Sequence, residues 1–183
     1  TLAARLATEL DRARRRTLAL CDVDAEVQRA QIDPLMSPLV WDLAHVGNYE
    51  ELWLLRALEP RAPLDPSLDH LYNAFEHPRW TRPALPLLGP AAARAYLEEG
   101  RDQVLDLLTR VELDPSDPLR RDGFVYGMVL QHEHQHDETL LATHQLRGEG
   151  ATGVPGATPP SWTPSRPSSP MVLVDAGTAT VGT

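Results

Sequence analysis

Proline limits where helices can form in this sequence of 183 residues. Pro38, Pro90 and Pro118 each stand where a helix can begin, because proline is tolerated in the first turn and not in a helix interior. Dense proline in residues 59–90 and 149–170 excludes long helices there. The sequence therefore predicts helices between these stretches.

Apolar residues recur at steps of three and four in four segments, as they do on the buried face of an amphipathic helix. The four predicted helices cover residues 1–21, 37–59, 90–111 and 117–147. The predicted fold class is all-α, a four-helix bundle on which the long proline-rich loop is ordered and packed. Arg14 and the other arginines of the first helix are expected on faces away from the core.

Composition changes after the fourth helix. Residues 1–148 are predicted to form the bundle, and residues 149–170, rich in Pro, Gly, Ser and Thr, to form a linker. The apolar run that begins at Met171 is typical of a first β-strand. Because the chain also lacks an initial methionine, we expect it to be a piece of a longer protein.

Charge and hydropathy exclude several classes of protein. The net charge is −9 and all 17 basic residues are arginine, so binding to nucleic acid or to an anionic membrane is not expected. No apolar run reaches the ~18 residues of a membrane span, and residues 1–16 lack the apolar core of a signal peptide. A single cysteine, Cys21, cannot form an internal disulfide. These features favour a cytoplasmic protein.

Two histidines of the fourth helix share one face. At about 100° per residue, His132 and His136 lie about 40° apart, whereas His134 points about 200° away from His132. The two continue a stripe of four-residue steps that is predicted to face the core, with Phe124, Met128 and Leu140. Buried imidazoles need partners, and a metal ion is one that histidines at i and i+4 can share. Waters or polar core groups are the alternative.

A third ligand should come from another helix. His45 is the best candidate, since it stands mid-helix among large apolar residues; a hydrogen-bonded core histidine is the alternative. His70 and His77 fall in the proline-rich loop and are expected to be exposed, and His144 to be structural. The segment starting at His132 also fits H-E-x-x-H, the zinc-protease motif, but the further ligand that such enzymes need is missing.

Several segments, in the same order, resemble one family. They are Pro34-Leu-Met-Ser-Pro-Leu-Val-Trp-Asp-Leu-Ala-His45, Glu50-Glu-Leu-Trp-Leu-Leu-Arg56 and His132-x-x-x-His136-x-Glu138. The chain resembles the N-terminal, DinB-like four-helix domain of the ergothioneine-biosynthesis sulfoxide synthases, also called hercynine oxygenases. Residues 171–183 resemble the start of the formylglycine-generating, or sulfatase-modifying-factor-like, domain that follows in that family.

The resemblance implies a mononuclear non-haem Fe(II) site with His45, His132 and His136 as ligands. The family enzymes use O2 to join the thiol of γ-glutamylcysteine, or of cysteine in some branches, to the imidazole of hercynine, and they oxidise the sulfur to the sulfoxide. Three neutral imidazoles would leave coordination positions open for these substrates. Imidazoles of this kind suit several divalent metals, so the residues alone do not select iron.

Further roles follow from the same resemblance. Arg79 and Arg82 match an arginine pair that binds the carboxylates of γ-glutamylcysteine, and Gln135 matches a residue that contacts hercynine. Glu138 is a candidate for orienting a ligand imidazole. Asp137 could do the same, but we expect it to be a solvated helix charge.

The family's catalytic tyrosine and most of its hercynine contacts belong to the C-terminal domain. Catalytic residues are therefore expected beyond this sequence. Two other functions fit the same histidines: a stand-alone DinB-like thiol transferase or isomerase that uses a divalent metal, and a metal-binding module without activity. The strand-like start at Met171 favours the sulfoxide synthase, because a stand-alone transferase has no use for it.

Overall fold

The computed structural model describes residues 1–148 and 177–178. In this part of the chain all regular structure is helical, which confirms the predicted all-α class. The α-helices are α1 (Leu2–Leu20), α2 (Ala25–Arg29), α3 (Leu39–Glu50), α4 (Pro66–Leu71), α5 (Pro90–Arg110) and α6 (Phe124–Leu146). The predicted linker at 149–170 and nearly all of the strand-like segment at 171–183 lie outside the described residues.

The four long helices pack as a bundle. Helix α1 packs against α5 and α6, and α3 packs against the same two helices. Helix α3 packs on α5 at Gly47, where a Cβ atom would lie 2.6 Å from Leu97 Cδ1, so a larger residue there would require the Leu97 side chain to move. No helix in the described part of the chain is long and apolar enough to cross a membrane.

Four buried charges divide the apolar core into two clusters. Arg14 on α1, Glu50 on α3, Arg101 on α5 and Glu133 on α6 are 6%, 1%, 7% and 0% exposed. Along the sequence, each charge stands between residues of one apolar cluster and residues of the other. We call these four residues the charged layer. Each long helix contributes one member, so the layer joins the whole bundle.

Hydrogen bonds satisfy the charged layer almost completely. Arg14 donates to Glu133 at 2.8 Å and to Glu50 at 2.6 Å. Arg101 binds both oxygens of Glu50, at 2.8 and 2.6 Å. Burial opposes ionisation of Glu50, but the two guanidinium groups outweigh it and lower the pKa of the Glu50 carboxyl. The expectation that Arg14 faces away from the core was wrong, because its partners lie inside.

Helix α6 begins later than predicted. The chain forms a 3₁₀ turn at Arg121–Gly123, and α6 starts only at Phe124. Asp122 and Gly123 have φ angles of 54° and 73°, a left-handed conformation that no α-helix can contain. The Asp117 side chain accepts a hydrogen bond from the Leu119 amide, forming a turn rather than a helix cap.

The proline-rich segment is ordered, as predicted, by two short helices. They are α4 and a 3₁₀ helix, Arg79–Ala84. Leu68 and Tyr72 are buried in the core, and the Tyr72 hydroxyl accepts from the Leu88 amide at 2.9 Å. Phe75 and Trp80 of this loop are exposed, so the predicted packing of the loop on the bundle is wrong for these two aromatic residues.

The charged layer predicts an asymmetry between two glutamates of α6. Glu133→Gln leaves two buried guanidinium groups facing one carboxylate, and we expect it to lower the free energy of unfolding by roughly 3 kcal/mol. Glu138 is exposed on the same helix, and Glu138→Gln should change stability by less than about 0.5 kcal/mol. Urea unfolding of both variants measures the difference. Equal stability would show that the layer contributes little.

Candidate metal centre

Three histidines from two packed helices meet at one point. His45 lies on α3, and His132 and His136 lie one turn apart on α6. One ring nitrogen of each lies within 4.8 Å of those of the other two. The Nε2 atoms of His45 and His132 are 3.1 Å apart, close to the ~3.0 Å between two nitrogens bound about 90° apart on one ion at ~2.1 Å. The structure thus brings the three predicted ligands together.

A backbone carbonyl orients His45. Its Nδ1 lies 2.7 Å from the carbonyl oxygen of Tyr72, and its ring stacks on Trp41 with centroids 4.6 Å apart. A carbonyl only accepts hydrogen bonds, so Nδ1 carries the proton and Nε2 presents a lone pair. Sequence reasoning missed this contact, because an acceptor on the backbone leaves no mark in the residue types.

A carboxylate of α3 orients His136. Asp42 is buried, and its Oδ1 lies 2.8 Å from His136 Nδ1. Nδ1 therefore donates a proton to the carboxylate, which leaves Nε2 as the lone-pair nitrogen of the neutral ring. Sequence reasoning did not select Asp42. The available signal was a carboxylate one helical turn before His45 within an otherwise apolar segment.

His132 completes the group, and among the described residues its only hydrogen-bond contact is the one between its Nε2 and His45 Nε2. Its ring stacks on Tyr49, with centroids 3.7 Å apart and planes at 13°. Its buried Nδ1 has no partner among the described residues. With all three rings neutral, at most one proton, on His132 Nε2, lies between the three nitrogens, so the group has more lone pairs than donors. A cation would satisfy all three, so the residues fit a metal ion.

Burial also keeps these imidazoles in the form that binds metals. Removal from water, with a smaller contribution from neighbouring His136, lowers the pKa of His45 to about 4 and that of His132 to about 2. Both rings are therefore neutral at pH 7, so no imidazolium has to lose its charge before a metal binds.

On α6, the stripe of four-residue steps that contains His132 and His136 runs along the edge of the buried face, not along its centre. Phe124 is exposed, and His132 and His136 are half-buried. The centre of the buried face carries Val129 and Glu133 instead. Because the Glu133 carboxylate is buried and bound to Arg14 within the charged layer, it is not available as the general base of a zinc protease.

The acidic residues after His136 occupy different surroundings. Glu138 is exposed, and the carboxylate that contacts a histidine of the group is that of Asp42. Asp137 was expected to be solvated, but it is 1% exposed and accepts from the Thr17 hydroxyl at 2.9 Å. Burial raises the pKa of its carboxyl. It lies on the buried face of α6, so the expectation was wrong.

Arg82 lies near the histidines, and Arg79 lies farther out. The Arg82 guanidinium sits 3.4 Å from the centre of the Trp41 ring, which in turn stacks on His45. Arg82 also donates to the Ser37 hydroxyl and to the His77 carbonyl, and among the described residues its Nη2 has no acceptor. Arg79 is exposed and donates to the Leu35 carbonyl. Gln135 is exposed on α6 beside His136.

Comparison with known proteins gives consistent relatives. Over 160 residues the chain is 53% identical to a hercynine oxygenase of Mycolicibacterium thermoresistibile, covering 86% of this chain and 34% of the relative. The hercynine oxygenase of Mycobacterium tuberculosis is 52% identical over 144 residues, covering 78% of this chain and 32% of the relative. That of Mycolicibacterium smegmatis is 51% identical over 156 residues, covering 82% and 35%.

These curated relatives are much longer than this chain, which spans about a third of their length. The family match itself covers most of the bundle, since residues 9–140 match the DinB superfamily. That range contains all three converging histidines and every member of the charged layer. The chain therefore belongs to the DinB superfamily.

Proposed function

We propose that this chain is the iron-binding part of a non-haem Fe(II) sulfoxide synthase. The enzyme would use O2 to join the thiol of γ-glutamylcysteine to hercynine and to oxidise the new sulfur to a sulfoxide, a step of ergothioneine biosynthesis. The observation that carries the proposal is the meeting of three ligand nitrogens in a chain about half identical to hercynine oxygenases.

The overall reaction balances without an external reductant. One C–H bond of hercynine and one S–H bond of the thiol are lost, and one C–S and one S=O bond form. The two hydrogens leave with the second oxygen atom as water, so the substrates supply all four electrons that reduce O2. Bound Fe(II) would supply a Lewis-acidic, redox-active centre with positions for thiolate and O2.

The chain's own residues would hold the ligands in place. The Tyr72 carbonyl and the Trp41 ring fix His45, Asp42 fixes His136, and Tyr49 fixes the ring plane of His132. Holding ligand nitrogens by outer hydrogen bonds reduces the reorganisation that metal binding would otherwise require. His45, His132 and His136 would coordinate the metal in this way.

The arginines would select the thiol. Because one donor nitrogen of Arg82 has no acceptor within residues 1–148, a carboxylate placed near the histidines could accept a charge-assisted hydrogen bond from it. Arg79 would bind the second carboxylate from the exposed side, and Gln135 would contact hercynine. In a protein as long as these relatives, the remaining two thirds would supply the catalytic group and the other wall of the site.

Helical phase predicts which histidine of α6 matters. His136→Ala should remove most of the bound Fe(II), whereas His134→Ala should retain it, because His134 lies off the converging face near Asp137. Iron content after anaerobic loading measures both. Equal loss in the two variants would show that the wrong pair had been selected.

Two carboxylates, those of Asp42 and Glu138, are candidates for the group that orients a ligand histidine. Asp42→Asn should weaken Fe(II) binding about 10- to 100-fold, because it loses the charged acceptor on His136 Nδ1. Glu138→Gln tests the role proposed for Glu138 from the resemblance, and its exposure leads us to expect little change. Anaerobic titration with Fe(II) gives both affinities. Weaker binding in Glu138→Gln alone would reverse the assignment.

The arginine pair predicts a preference for the dipeptide. In the Fe(II)-loaded chain, γ-glutamylcysteine should bind more tightly than cysteine, and each arginine should contribute about tenfold or more. Arg79→Ala tests the exposed partner. Arg82→Lys keeps the positive charge of the buried partner while removing the planar fork. Calorimetry at equal iron content measures the relative affinities for the two thiols. Unchanged selectivity in the double variant Arg79→Ala, Arg82→Lys would exclude the two arginines as the groups that select the thiol.

A further inference from the structure

A second group of metal-ligating side chains lies outside the histidine centre, in the proline-rich segment. His70, Glu76 and His77 each offer one ligand atom, and these atoms lie within 4.8 Å of one another. His70 stands near the end of α4, and the other two follow in the turn after it. Their rings and carboxylate are at the surface, where an ion can reach them.

The turn holds these side chains by contacts of its own. His70 Nδ1 contacts the Glu76 carboxylate, and the two histidine rings meet edge to face with centroids 5.1 Å apart. The other oxygen of Glu76 accepts from the Asn73 side-chain amide at 2.7 Å. The backbone amides of Glu76 and His77 both donate to the Asn73 carbonyl. Glu76 is thus oriented from one side and left facing His70 on the other.

The tautomer of His77 also favours a ligand role. Its Nε2 lies 3.1 Å from the His70 carbonyl oxygen, which can only accept, so Nε2 carries the proton and Nδ1 keeps a lone pair. A ligand imidazole in a protein commonly donates its other N–H to a backbone carbonyl in this way. Two imidazoles and a carboxylate are the ligand set of several zinc sites.

We propose that His70, Glu76 and His77 form a second, surface site for a divalent transition metal of the zinc class. The ion lies between His70 Nδ1 and the Glu76 carboxylate in place of a proton, and water completes its coordination. The alternative is a plain histidine–glutamate ion pair that binds no metal.

Metal binding at this second site would affect the histidine centre through the backbone that connects them. The eight-residue segment that the ion closes contains the Tyr72 carbonyl, which orients His45. It ends at the His77 carbonyl, which accepts from Arg82 Nε at 3.0 Å. An ion bound to both ends of the segment therefore restrains one partner of the candidate ligand His45 and one partner of Arg82.

Cobalt(II) is the probe, because its visible absorption reports nitrogen and oxygen ligation at low coordination number. The untagged 183-residue chain should bind about two Co²⁺ per chain, one at each group. The double variant His70→Gln, His77→Gln should bind about one, and so should the double variant His132→Gln, His136→Gln. His134→Gln, at a partly exposed histidine of α6, is the matched control and should retain the wild-type count.

The variants separate the two sites. If His132→Gln, His136→Gln binds no cobalt while its circular dichroism remains helical, the second site does not exist. If His70→Gln, His77→Gln binds as much cobalt as the wild type, the second ion lies elsewhere and the assignment is wrong. Should the histidine centre itself bind no metal, the His70 group would still hold one ion. That result would contradict the proposed iron site and leave the second site standing.

Discussion

Neutralisation of four buried charges by one another is the interaction on which the rest of this bundle depends. The charges of the layer sum to zero, and each comes from a different long helix: Arg14, Glu50, Arg101 and Glu133. A shift or rotation of any helix would leave a charge unpaired in an apolar core, at a cost of several kcal/mol. The layer therefore sets the relative positions of the four helices more strictly than apolar packing, which tolerates many arrangements of similar volume.

The charged layer also accounts for the position of the histidines. Glu133, which follows His132, occupies the core-facing side of α6. Asp137, which follows His136 and contacts Thr17 of α1, occupies the same side one turn later. Because both acidic side chains point inward, the preceding histidines lie at the edge of the buried face, turned towards α3. The orientation of α6 that pairs the charges thus also directs two imidazoles at His45.

Much of this arrangement could be predicted from periodicity and proline. The four helices, the pairing of His132 with His136, and His45 as the third member all followed from residue spacing or from family resemblance. Which side of α6 faces the core could not be predicted, because hydrophobic patterning assigns Glu133 and Asp137 to solvent when their partners are unknown. Arg14 shows the same difficulty: its position between Leu10 and Thr17 matches the core face, but only a facing carboxylate explains its burial. Contacts between distant segments, such as Asp42 with His136, depend on packing that no local pattern encodes.

Control of His45 by a backbone carbonyl has a consequence for how this site can change by mutation. Any residue at position 72 keeps a carbonyl, so a scan of side-chain substitutions would leave the acceptor intact and would understate the importance of this position. Tyr72→Phe, for example, removes only the hydroxyl that binds the Leu88 amide. The contact is lost when the path of the chain changes, as it does when a residue is inserted or deleted between α4 and the 3₁₀ helix. The length of this segment, more than its composition, is therefore the property that natural variation or engineering must preserve.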